Sequence, residues 1–170
     1  MSILTNRITL RPVVLPDDES FLLELFADTQ NEIADLPIEE SQKRSLIEMQ
    51  YKAQRRQYAA QFPDAAHLIV LFEGQPVGRY LYVDGAKEII AIDLTVLAEH
   101  RSRGIGSAVL SNTIEKAAGS GKKITLHVLT TNQRAKSLYE QLGFKTTGMT
   151  PTRFEMEWSA TPQKLINEEK

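Results

Sequence analysis

The order of patterned segments predicts an α/β fold, a mixed sheet of about seven strands with about four helices. Three observations carry that expectation. Apolar runs at His67–Phe72 and Val77–Val83 flank Glu73-Gly74-Gln75-Pro76, the chemistry of a tight hairpin turn. Residues 88–129 read strand, helix, strand, a crossover that demands parallel pairing of its two strands. Ala135, Leu138, Tyr139 and Leu142 recur at helical spacing just before Gly143, a helix stop.

Arg7–Val13 alternates as a strand and is stopped by Pro12 and Pro16. Asp17 or Asp18 can cap a helix reaching about Asp28, with Phe21, Leu22, Leu25 and Phe26 as its apolar stripe. A second helix runs from about Glu39 or Ser41 to Ala60 and breaks at Phe62-Pro63-Asp64. Two more strands, Val77–Val83 and Glu88–Leu97, surround Asp84-Gly85. A helix over Gly104–Ala118 ends at Gly119 or Gly121. Lys123–Leu129 reads as a short buried strand, and Phe144–Gly148 and Thr152–Trp158 close the series.

Composition bounds the function. At 170 residues, one domain over 1–158 is expected, with 159–170 as a loose polar tail. Hydrophobic residues at 42% and charged residues at 25% suit a soluble globular protein, and the default compartment is the cytoplasm. A net charge of −2 argues against a general nucleic-acid binder. Zero cysteines remove disulfides, thiolate metal sites and a Cys nucleophile. No apolar run approaches a membrane span, and the N-terminus lacks a basic-then-apolar signal. No metal and no membrane partner are expected.

The chemistry concentrates at Leu94-Thr95-Val96-Leu97-Ala98-Glu99-His100-Arg101-Ser102-Arg103-Gly104-Ile105-Gly106-Ser107-Ala108. An apolar strand runs through a loop rich in Arg and Gly straight into a helix. The first N–H groups of a helix have no internal partner and point outward with partial positive charge behind them. Gly104 and Gly106 carry no Cβ, so a phosphate can approach the backbone. Arg101 and Arg103 add fixed positive charge. The spacing Arg-x-x-Gly-x-Gly is not the dinucleotide fingerprint, whose third glycine would fall at Val109, and no Gly-rich run closes with Lys-Ser or Lys-Thr as a Walker A loop does.

That spacing after a strand resembles the pyrophosphate motif of the GNAT superfamily of acyl-CoA-dependent N-acyltransferases. Asn132-Gln133-Arg134-Ala135-Lys136-Ser137-Leu138-Tyr139-Glu140-Gln141-Leu142-Gly143-Phe144 resembles the later Asn-x-x-Ala-x-x-x-Tyr-x-x-x-Gly-Phe motif of the same superfamily. Ile8-Thr9-Leu10-Arg11-Pro12 is a weaker echo of its first strand. The ordered pair of motifs spans most of residues 7–158. The resemblance implies a GNAT-like fold with its two parallel central strands splayed into a V. It puts acetyl-CoA, as co-substrate, against Leu94, Thr95 and Val96, against Arg101, Ser102, Arg103, Gly104, Ile105, Gly106 and Ser107, and against Asn132 and Ala135. It also implies that backbone near Val96 polarises the thioester carbonyl. Asn132 either contacts the pantetheine arm or simply caps its helix.

Acyl transfer to an amine further needs a proton for the leaving thiolate and a route off the ammonium. Tyr139 is the candidate acid: a phenol, with a pKa of about 10, stays protonated at neutral pH. Its alternative is the edge of the apolar stripe. His127 and Asp93 are the candidate bases, each a polar interruption of an apolar strand, and Asp93 is a possible orienter of His127. Each also reads as a satisfied structural group, and water chains to solvent are a third route. Gln50, Gln54 and Gln57 share one face of the second helix, either toward a polar acceptor or toward solvent beside Lys52, Arg55 and Arg56. His67 and His100 read as surface or strand-edge residues. One of Glu155 and Glu157 could meet a cationic acceptor. The function expected is N-acetyl transfer to a primary amine by direct attack, from a small-molecule or peptide acceptor whose identity stays open, with a homodimer possible. A non-catalytic acyl-CoA sensor is the competing reading, and a larger acyl chain a third.

Overall fold

The computed structural model describes residues 7–160; the expected tail beyond 160 lies outside them. The elements run β1 (Ile8–Pro12), α1 (Glu19–Ala27), α2 (Asn31–Ala34), α3 (Glu40–Gln61), β2 (Ala66–Phe72), β3 (Gln75–Asp84), β4 (Glu88–Val96), a 3-10 turn (Ala98–His100), α4 (Ile105–Ser120), β5 (Lys123–Leu129), α5 (Gln133–Gln141), β6 (Lys145–Met149) and β7 (Arg153–Trp158). Strand order is β1-β2-β3-β4-β5-β7-β6. The β1/β2, β2/β3, β5/β7 and β6/β7 pairs are antiparallel. Five helices are present among the described residues rather than about four. The extra one, α2, is a single turn, too short to show a period in sequence.

The chain divides into two compact units: residues up to Asp84 with Ala91–Leu110, and Gly85–Ile90 with Ser111 onward. In the first unit, α1 buries Leu22, Leu25 and Phe26, spaced at i, i+3 and i+4. Leu22 and Phe26 pack with Tyr51 of α3 and Ile69 of β2. A second cluster joins Ile8, Val70, Phe72, Val77 and Tyr80 to Ile105, Ala108 and Val109 of α4. Leu94 and Val96 pack against that cluster, so the end of β4 is half-buried.

In the second unit, β5 alternates strictly. Ile124, Leu126 and Val128 are buried, and Lys123, His127 and Leu129 are exposed. Helix α5 ends in a Schellman turn: Phe144 N–H donates to Tyr139 O, Gly143 N–H to Glu140 O, and Gly143 takes φ 93°. Gly121, at φ 66°, ends α4 in the same way, so Gly121 rather than Gly119 is the stop.

One cap differs from expectation. Asp18 stands at the N-cap of α1, but its carboxylate makes no bond to the helix. It accepts instead from both terminal nitrogens of Arg11 (2.7 Å each) and from Val14 N–H (2.8 Å). A bidentate cation outcompetes a neutral helix N–H for a carboxylate. These bonds, Arg11 first and the Val14 amide second, hold the Asp18 carboxyl at about 2, below its ordinary value.

Candidate active site

The loop between β4 and α4 is built as its composition predicts. Ser102 and Gly104 are both left-handed, at φ 63° and 77°. Gly104 adopts that backbone without strain and becomes the N-cap, its carbonyl accepting from Ala108 N–H (3.0 Å). The amides of Ile105, Gly106 and Ser107 thus fall in the first turn, without intrahelical acceptors. No acidic side chain stands in that turn to cancel the helix dipole. Ile105 is buried and anchors the turn, whereas Ser102, Arg103 and Gly104 are exposed and Gly106 and Ser107 half-buried.

The two arginines divide their labour. Arg103 is exposed. Arg101 is a brace: Nε donates to Val96 O and a terminal nitrogen to Asp28 Oδ2, both at 2.8 Å. Asp28 Oδ2 also accepts from Ala98 N–H (2.8 Å). The C-terminal end of α1 is thereby stitched to both ends of the 3-10 turn in the loop. A groove of about 480 Å³, lined by Glu24, Ala27, Asp28, Leu97, Ala98 and Glu99, runs beside this stitch.

Upstream on β4, Asp93 belongs to a buried polar cluster that sequence reasoning missed. Its carboxylate accepts from the guanidinium of Arg79 on β3, from Thr95 Oγ1 (2.7 Å) and, at 3.5 Å, from Tyr58 OH of α3. Arg79 also donates to Gln54 Oε1 (2.7 Å) and lies 5.9 Å from the Tyr58 ring centre. The bonds of Asp93 thus run to Arg79, Thr95 and Tyr58. Of the glutamine face, Gln54 turns inward to Arg79, and Gln50 and Gln57 are exposed. Arg55 is not loose surface charge, for it bonds Glu19 at 2.6 and 2.8 Å beside the Tyr51 ring. A lone charge in each of two apolar strands, Arg79 and Asp93, was the available signal, since buried charges demand partners.

His67 corrects another expectation. It is half-buried on β2, and its Nε2 is buried with no hydrogen-bond partner. Desolvation, then the positive charge of Arg79, lowers its pKa to about 4, so the ring is neutral at physiological pH. His100 is half-buried, its ring tilted against Phe72 and its Nε2 at 3.2 Å from the exposed Glu99.

In the second unit, His127 pairs in register with Glu155, Nε2 to Oε1 at 3.8 Å. Both side chains are half-exposed. Glu157 is bonded to Lys123 (2.8 Å). Asn132 caps α5, its Oδ1 accepting from Ala135 N–H (3.1 Å). Tyr139 is half-buried with its ring 5.8 Å from that of Phe144. Among the described residues no group of three or more His, Cys, Asp or Glu could hold a metal ion, and no helix is long and apolar enough to cross a membrane.

The model of the acetyltransferase (GNAT) family matches residues 30–144, more than half of the chain. The chain therefore belongs to the GNAT acetyltransferase family, and it is an enzyme of that class. Its fold is similar to that of the PaiA N-acetyltransferase from Thermoplasma acidophilum in complex with coenzyme A: TM-score 0.67, 19% identity, 94% of this chain and 100% of that one covered. It is similar too to an acetyltransferase from Thermus thermophilus (TM-score 0.65, 18% identity, 90% and 97% covered). A third likeness is to Arabidopsis thaliana Naa50 in complex with the bisubstrate analogue CoA-Ac-MVNAL (TM-score 0.62, 21% identity, 91% and 99% covered). No curated protein matches the sequence.

Proposed function

We propose that this chain transfers the acetyl group of acetyl-CoA to a primary amine by direct attack. The observation that carries the reading is the start of α4: a left-handed Gly104 cap, first-turn amides at 105–107 that have no acceptor within the helix, and no acid in the first turn. That arrangement fits a diphosphate. Arg103 adds charge from the exposed side, and Arg101 holds the loop in shape. The backbone of Leu94, Thr95 and Val96 binds the pantetheine arm as an added strand, and an N–H there polarises the thioester carbonyl. Asn132 and Ala135 line the arm; the cap role of Asn132 leaves its side-chain N–H₂ for that contact.

Tyr139 donates the proton that the departing thiolate needs. His127 is the better placed of the two candidate bases to exchange protons with solvent, because it is half-exposed while Asp93 is enclosed. With no cysteine in the sequence and no serine in a nucleophile setting, the amine attacks the thioester without a covalent enzyme intermediate.

The test is calorimetric titration with coenzyme A, followed by a screen for CoA release from acetyl-CoA over amino acids, polyamines, amino sugars and peptide N-termini. Micromolar CoA binding and at least one acetylated amine are expected. Tyr139→Phe should leave CoA affinity nearly unchanged and lower kcat about 100-fold. Binding without turnover on any amine would overturn catalysis in favour of a sensor.

A further inference from the structure

Three consecutive residues of β3 act on the end of β4. Val77 O accepts from Leu97 N–H (2.9 Å). Gly78 sits so close to β4 that a Cβ there would run into Thr95 O and stand 3.3 Å from Val96 Cα. Arg79 grips Asp93, whose other oxygen holds Thr95 Oγ1 (2.7 Å). Positions 93 and 95–97 are thus each held or pressed from β3. The same guanidinium reaches α3 through Gln54, and Tyr58 of α3 reaches Asp93.

We infer that Arg79 is a positioning residue for acetyl transfer: with Gly78 it clamps β4 and so fixes the backbone of Leu94–Val96 against which the acyl-CoA arm is read. This rests on the reading of Leu94–Val96 as the arm's binding strand. The argument is energetic. Arg79 is buried and Asp93 nearly so, and taking two charges out of water offsets most of their attraction, so packed apolar residues would stabilise the sheet as well or better. What an ion pair adds is direction. One terminal nitrogen of Arg79 donates both to Asp93 Oδ2 and to Gln54 Oε1, so the carboxylate is tied toward β3 and α3 together, which methyl groups do not do. The side chain touches no substrate; it acts through Asp93 and Thr95.

The experiment replaces the pair rather than breaking it. Arg79→Met with Asp93→Leu leaves no orphan charge, and Arg79→Lys keeps the charge without the planar guanidinium that reaches Asp93 and Gln54 together. Both are compared with the wild type by thermal melt, calorimetric titration with coenzyme A, and amide hydrogen exchange of 94–97. Expected is a folded double variant with a melting temperature near that of the wild type. Its exchange at 94–97 should be about tenfold faster and its CoA affinity about tenfold weaker, with the lysine variant between. Turnover of any amine found acetylated should fall about 100-fold. A double variant with wild-type exchange and wild-type CoA affinity overturns the clamp. If it does not fold, Arg79→Lys decides by the same two readouts, with unchanged values overturning the clamp. If the wild type binds no coenzyme A, the acyl-CoA reading fails on its own, and exchange at 94–97 still shows whether Arg79 holds the strand.

Discussion

Two pairs of ionisable residues sit on strands of this protein and are built in opposite ways. Arg79–Asp93 is enclosed, with side chains 6% and 15% exposed, and both partners carry further hydrogen bonds. His127–Glu155 stands at 3.8 Å with both side chains half in water. The first is enclosed framework and the second is open to solvent. Two strand residues that look alike in sequence, each a polar break in an apolar run, thus sit in different surroundings according to what lies across from them.

The contrast is broken most severely by removing one buried partner. Arg79→Met alone leaves Asp93 enclosed without its cation, and a loss of about 3–5 kcal/mol in urea unfolding is expected. A loss below about 1 kcal/mol would mean that water reaches the carboxylate and the enclosed pair resembles the open one.

Acid sharpens the same contrast. Both His67 and Asp18 have folded pKa values below their unfolded ones, so each favours the deprotonated form in the native state. Below pH 6.5 the unfolded chain protonates the imidazole while the folded chain does not, and stability falls until about pH 4. Asp18 then adds a loss of about 2 kcal/mol as pH drops from 3.8 toward 2. Unfolding free energy measured from about pH 8 to about pH 3 should show the first limb, and His67→Gln should flatten it.

Smaller effects belong to the open surface. Asp28→Ala frees Arg101 and the Ala98 amide, and a loss of about 1 kcal/mol is expected by thermal melt. His127→Gln should change stability by less than about 0.5 kcal/mol, since an exposed pair at this distance contributes little.

What the sequence disclosed follows from how local each device is. The α4 cap and the α5 stop lie within a few residues of their own signals, Gly104 and Gly143, and both were legible. The alternation of β5 was not: it read as a short buried strand, because the outward-facing Leu129 is as apolar as its buried neighbours. The Asp18 clasp was not, because Arg11 lies on a strand and competes with a cap rule that considers only the helix. The bond of Arg101 to Asp28 was not legible either, because that partner is 73 residues away. The Arg79–Gln54–Asp93 cluster joins three elements, so Gln54 read alone as part of a helix face, Asp93 as a polar break in an apolar strand, and Arg79 drew no reading. Burial, unlike helix capping, is decided by the partner across the sheet.

The central claim is that the first turn of α4 grips a diphosphate through its backbone amides. Ser107→Glu tests it directly by calorimetric titration with coenzyme A. A carboxylate in a first helical turn favours the helix, so the melting temperature should hold or rise slightly. The same carboxylate repels a diphosphate, and CoA affinity should fall at least about tenfold. A variant that is equally stable and binds coenzyme A as tightly as the wild type would contradict the account.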